Sequence, residues 1–285
     1  MRSSNPVFSR GFRDNGYAGF GTGPQAGTAT QGNPYASGPY AEPTNPYASN
    51  PYATGGPGLT QGAPAQPGVV TMDDVVMRSA MTIGLVVVGA AIGWATNLPI
   101  GVAFVAGIVA AVLGLVQQFK AKPSPALILG YAAFQGLALG IISKLYNHFV
   151  DGAPVQAVLG TIAVSVGTLI AYKTGVVRVN NRFYRVVTAA GIGFMLLMMT
   201  NLLFAAIGGG DGLGLRSGPL GIGIGVIGVL LGAAYLAMNF KEIEDGIAYG
   251  APRESSWIMA FGLTMSLVWI YMEMLRLVSI LQGDD

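Results

Sequence analysis

The sequence predicts an all-α membrane protein, a seven-transmembrane-helix bundle preceded by a disordered N-terminal tail. Three observations predict it. The chain is 52% hydrophobic and only 10% charged over 285 residues, a balance that soluble domains seldom show. From Met72 onward, apolar runs of about 20 residues, enough to cross a bilayer, recur along the chain. The lysines and arginines between those runs fall almost entirely on one side.

Residues 1–70 form the first domain. Gly and Pro dominate them and aliphatic residues are scarce, so they cannot bury a core and are expected to be disordered. A short repeat runs through them: "NPYAS" at Asn33–Ser37, "PYAE" at Pro39–Glu42, "NPYAS" at Asn45–Ser49 and "PYAT" at Pro51–Thr54. Its tyrosines suit an array for interaction or phosphorylation, or a solvated low-complexity tail with no fixed structure.

Residues 71–285 form the membrane domain. Its spans are expected at Val75–Thr96, Ile100–Phe119, Pro125–His148, Pro154–Thr174, Tyr184–Ile207, Pro219–Phe240 and Trp257–Leu281. The breaks carry Pro, Gly, Asn or clustered charge, as in "NLP" at Asn97–Pro99 and "KPSP" at Lys122–Pro125. The first loop reads as the tightest, which predicts a helical hairpin of spans one and two.

Orientation follows from the basic residues. Arg2, Arg10, Arg13 and Arg78 precede or begin span one, and Lys120 and Lys122 follow span two. Lys173, Arg178, Arg182 and Arg185 lie between spans four and five, and Lys241 and Arg253 between six and seven. Only Lys144, Arg216 and Arg276 fall on the opposite side. The N-terminus is therefore expected in the cytoplasm and the C-terminus outside.

Composition also excludes chemistry. There is no cysteine, hence no disulfide, thiolate zinc site or cysteine nucleophile. His148 is the only histidine, which removes histidine triads and multi-histidine metal sites. The basic residues are dispersed, so no nucleic-acid patch is expected. No cofactor, metal site or catalytic residue is expected, and an intramembrane enzyme is disfavoured because no nucleophile–base or paired-acid constellation is visible.

Several motifs have two readings. "GIGIGVIG", Gly221–Gly228, contains a formal G-x-G-x-x-G, but a dinucleotide fingerprint needs a strand before it and a βαβ unit around it. Inside an apolar span, Gly221/Gly225 and Gly228/Gly232 read instead as small-xxx-small pairs that bring helix backbones close. "GGGDG", Gly208–Gly212, resembles the motif of intramembrane aspartyl proteases. No span offers a second aspartate to share its proton, so Asp211 reads as a turn residue. Asp73 and Asp74 follow Thr71 and read as a helix N-terminus. Lys144 and His148 either line an entrance at the outer end of span three or simply sit at a wet interface.

Span seven differs in kind. "TMSLVWIYMEMLRLVSIL" carries Glu273 and Arg276 within its hydrophobic length. Intramembrane ionisable residues are costly and mark a bundle interior, a water path or a proton relay. The alternative is a local ion pair that holds the helix in place. Ser266 lies seven residues before Glu273, on nearly the same face.

The stretch "LAMNFKEIEDGIAYGAPRESSWIMAFGLTMSLVWIYMEMLRLVSIL" resembles the C-terminal helix pair of the Bax inhibitor-1/YccA family, also called the transmembrane Bax-inhibitor-motif family. The shared pattern is a "DFxxIE" segment ending helix six, a short "GAP" loop and an aromatic-rich helix seven. The opening "MRSSNPVF" and the low-complexity tail are similar to actinobacterial members. The resemblance implies a bundle with the C-terminal helix central, in the bacterial plasma membrane. It also implies a pH-sensitive calcium leak gated by two aspartates, one ending helix six and one in helix seven. Two carboxylates sharing a site cannot both ionise cheaply, and loss of the shared proton lets the helices part.

This sequence departs from that pattern. The helix-six aspartate falls on Asn239, and an ungapped match anchored on Arg276 puts the other on Ser266. Reading "IYMEML" against the family's "LYLDF" puts it on Glu273 instead. At 1.5 Å per residue, Ser266 lies roughly 14 Å along helix seven from Trp257 and Glu273 roughly 24 Å, so Ser266 is the expected neighbour of Asn239. A pH sensor would then have to be Glu273 or the Glu242, Glu244 and Asp245 cluster of a wet cytoplasmic loop. Candidate gate or sensor residues are thus Asn239, Ser266, Glu273, Arg276, Glu242 and Asp245. The expected function is a membrane-embedded cation leak with calcium as the permeant ion. The alternative is a non-conducting regulator that recruits a partner, such as a membrane protease, through the tail.

Overall fold

The computed structural model describes residues 68–206 and 218–283; the tyrosine repeats, Asp211 and Arg216 lie outside the described residues. Seven helices follow in order: α1 (Met72–Ala95), α2 (Ile100–Phe119), α3 (Pro125–Phe149), α4 (Ala153–Lys173), α5 (Asn181–Ala206), α6 (Gly218–Ala248) and α7 (Ser255–Gln282). All seven are long and apolar enough to cross a membrane, as the hydropathy pattern predicts. Their outward faces are lined by large apolar side chains, among them Phe104 and Ile108 on α2, Leu159 and Ile162 on α4, and Met199 on α5. A helix bonds its interior backbone groups within its own segment, which is what hydrocarbon demands.

α1 starts at Met72, one turn before the apolar run. Thr71 is its N-cap: Asp74 N donates to Thr71 Oγ1 at 3.2 Å, and Asp74 Oδ2 accepts from Thr71 N at 3.3 Å. This capping box satisfies two orphan backbone donors. Asp74 does more than cap, since it also pairs with Arg253 at 2.8 Å.

The expected hairpin of the first two spans does not form. α1 packs against α3, α6 and α7, and α2 makes its helix contact with α3. The cause is a second pair of glycine motifs, "GAAIG" at Gly89–Gly93 and "GLALG" at Gly136–Gly140. A Cβ at Gly89 would lie 2.8 Å from Ala133 O, one at Gly136 2.9 Å from Val86 Cα, and one at Gly140 2.8 Å from Ala90 C. Four missing side chains let the α1 and α3 backbones touch. Nor is the first loop the tightest, since Val150–Gly152 alone joins α3 to α4, with Gly152 at φ +78°.

The charged stretch after Phe240 is not a loop either. α6 continues through "KEIEDGIA" to Ala248. Lys241 and Asp245 pair at 2.6 Å one turn apart, and Ile243 is buried with Val70 and Val75. The helix stops at Gly250, φ +68°, where Ala251 N donates to Gly246 O at 2.8 Å and Gly250 N to Ile247 O at 3.2 Å. That is a Schellman motif, which requires a left-handed residue.

α7 occupies the centre. It packs along α1, α3, α4 and α6, and its side chains also reach α2 through Phe261 beside Ala110 and α5 through Trp269 beside Phe194. Buried hydroxyls seat it: Thr264 and Thr82 of α1 share a hydrogen bond at 2.8 Å, as do Tyr271 and Ser143 of α3 at 2.6 Å.

Candidate functional site

The site lies along the face of α7 that meets α6. The helices run antiparallel, so rising residue numbers on α7 meet falling ones on α6. Asn239 faces Gly262 and Ser266; Gly232 faces Trp269 and Ile270; Gly228 faces Glu273; Gly225 faces Arg276 and Leu277.

At the loop end of this face, Asn239 Nδ2 donates to Ser266 Oγ at 2.7 Å and to Gly262 O at 3.0 Å. Asn239 and Ser266 thus form one neutral contact between α6 and α7. Glu273 is seven residues, roughly 10 Å, farther along the helix. Beside the pair opens a cavity of about 460 Å³ that Gln118, Gly191, Met195, Tyr235, Met265 and Trp269 help to line. It forms where α2 and α5, which do not touch, part over the α6–α7 pair.

Farther along, Arg276 Nη2 donates to Glu273 Oε2 at 2.6 Å. Both residues are buried, at 6% and 7% exposure, so the pair lies inside the bundle. The glycine stripe of α6 is what admits it. A Cβ at Gly228 would lie 2.9 Å from Glu273 Cδ, and one at Gly225 3.1 Å from Arg276 Nη2. The stripe therefore receives side chains from α7, rather than bringing two backbones together as α1 and α3 do.

Glu242 and Asp245 stand apart from both groups. They lie on the last turns of α6, where Glu242 is exposed and Asp245 is held by Lys241. Glu244, on the same turns, accepts a hydrogen bond from Tyr172 of α4. Lys144 Nζ donates to Asn97 Oδ1 at 2.8 Å, and with His148 it borders an open groove of about 540 Å³ at the far end of the bundle.

Two features escape the sequence reading. One is Trp269, whose Nε1 donates to Gly228 O at 3.0 Å and whose ring packs among Phe194 and Tyr235. Its signal was available, because tryptophans favour membrane interfaces and this one sits mid-span. The other is the pairing of Gly68–Val70 with the α6–α7 loop. Val70 N donates to Ala251 O, and Arg253 N to Gly68 O, both at 2.9 Å. Arg78 Nη1 adds a bond to Arg253 O at 2.6 Å and stacks over Trp257.

A seven-helix membrane bundle with a central C-terminal helix, hydrogen-bonded to α6 at one end of their contact and laying its own buried ion pair on the α6 glycines at the other, defines the class. A family model described as Bax inhibitor 1 like matches residues 5–283. The chain belongs to that Bax inhibitor family. A search of curated proteins finds no match to it.

Proposed function

We propose that this chain is a cation leak of the bacterial plasma membrane, with calcium as the permeant ion and the family's carboxylate sensor replaced. The observation that carries the reading is the Asn239–Ser266 hydrogen bond at the α6–α7 contact. It sits where the family resemblance puts the two gating aspartates, beside a cavity. An amide and a hydroxyl do not titrate, so proton sharing is absent from this contact. Any pH response left to the protein has to come from carboxylates elsewhere, with Glu273 inside the bundle and the Glu242, Glu244 and Asp245 cluster at the end of α6 as the candidates.

The one-sided distribution of Lys and Arg supports a cytoplasmic N-terminus and an external C-terminus. The α6–α7 loop, the cavity and the Gly68–Val70 pairing then face the cytoplasm.

Calcium flux into liposomes holding the purified chain, followed from acid to alkaline pH beside Glu273→Gln, tests the proposal. Flux from the protein alone is expected, with any pH dependence that Glu273 carries lost in the variant. No flux at any pH, together with a partner captured only when residues 1–67 are present, would replace the leak with a recruiting role. That truncation spares the Gly68–Val70 pairing.

A further inference from the structure

On the α7 face that meets α6, two polar places are separated by a single aromatic layer. Ser266, with Asn239, borders the cavity. Glu273, with Arg276, is buried beyond it. Between them, three residues after Ser266 and four before Glu273, stands Trp269. Its indole lines the cavity, and Glu273 does not.

The indole is held from several directions. Its ring lies over Gly232, where a Cβ would come 2.9 Å from Trp269 Cδ1. Nε1 is anchored to the carbonyl of Gly228, the same glycine whose open side admits the Glu273 carboxylate. Phe194 of α5 and Tyr235 of α6 pack at its edges, with ring centroids 5.4 Å and 6.5 Å away. Ile270, at 0% exposure, lies beside the indole against Gly232. A bulky apolar side chain between two polar sites excludes water and ions for as long as it stays.

We propose that Trp269 is the partition of this path: its indole divides the cavity beside Asn239 and Ser266 from the Glu273–Arg276 pair. The path itself rests on the leak reading above, but the partition is tested without measuring ion flux. The chain contains no cysteine, so an introduced thiol is the only one present. Ser266→Cys places a thiol on the cavity side. Leu277→Cys places one beyond the indole, where the leucine lies against Gly225.

Vesicles carrying each variant are treated, on the side of the α6–α7 loop, with a permanently charged methanethiosulfonate. The thiol at 266 is expected to react whether or not Trp269 is present. The thiol at 277 is expected to be protected, and to lose that protection when Trp269→Ala is added. Trp269→Leu, which keeps an apolar side chain over Gly232 but falls short of Phe194, is the second variant should the alanine form not survive extraction. Loss of protection without ion flux in any variant would keep the partition and sink the leak reading. A thiol at 277 equally reactive with and without the indole would overturn the partition, as would a thiol at 266 that never reacts.

Discussion

Gly228 of α6 lies directly against the carboxylate of Glu273 on α7: a Cβ there would fall 2.9 Å from Glu273 Cδ and 3.0 Å from Oε2. A glycine and an acid thus form one unit, in which the missing side chain makes room for the buried charge. Gly228→Ala is expected to destabilise the purified protein by about 1–3 kcal/mol through overpacking. Gly223→Ala, on the same helix with open space around its Cα, is expected to be neutral or mildly stabilising. Thermal unfolding in detergent compares them.

The ion pair itself has a distinct signature. Removing one partner of a buried pair leaves an uncompensated charge, at a cost of about 3–5 kcal/mol, whereas replacing both with apolar residues is often neutral. Arg276→Met alone is therefore expected to lower stability more than Glu273→Leu and Arg276→Met together. The same unfolding assay ranks the two.

At the other end of the face, Asn239 and Ser266 share a neutral hydrogen bond within the membrane domain. Such bonds contribute about 0.6 kcal/mol on average. A double-mutant cycle of Asn239→Ala and Ser266→Ala is expected to give a coupling energy of that size. Additive single effects would mean that the bond does not join the helices.

Much of this architecture was legible in the sequence. Hydropathy places all seven spans, and Thr71 with Asp74 marks the start of α1, because both signals are local. The α1–α3 pairing was not legible, since Gly89, Gly93, Gly136 and Gly140 acquire meaning only when the two motifs face each other. Nor was the extension of α6, because "KEIEDGIA" reads as a wet loop until Ile243 is seen packing on Val70 and Val75. The contact of Asn239 with Ser266 was reachable by helix arithmetic. The placing of Trp269 between two polar sites was not, because it depends on which face of α7 meets the glycines of α6.

The loop end offers a contrast between buried and exposed partners. Asp74 caps α1 and is nearly buried, while the Arg253 side chain is 62% exposed. Asp74→Ala is expected to cost about 1 kcal/mol for the lost cap. Arg253→Ala is expected to cost less than about 1 kcal/mol, as exposed ion pairs do. The Gly68–Val70 pairing survives it, because Arg253 takes part through its backbone.

On the proposed reading, the α6–α7 contact governs a leak, and a neutral Asn239–Ser266 hydrogen bond stands where the family resemblance puts a shared-proton sensor. The direct test is calcium flux against pH for the wild-type chain and for Asn239→Asp with Ser266→Asp, side by side in liposomes. Two facing carboxylates hold one proton in common, and on that reading its loss drives the helices apart. The double variant is therefore expected to show a rise in flux from acid to alkaline pH steeper than any the wild type shows. Identical pH profiles for the two proteins would contradict the account.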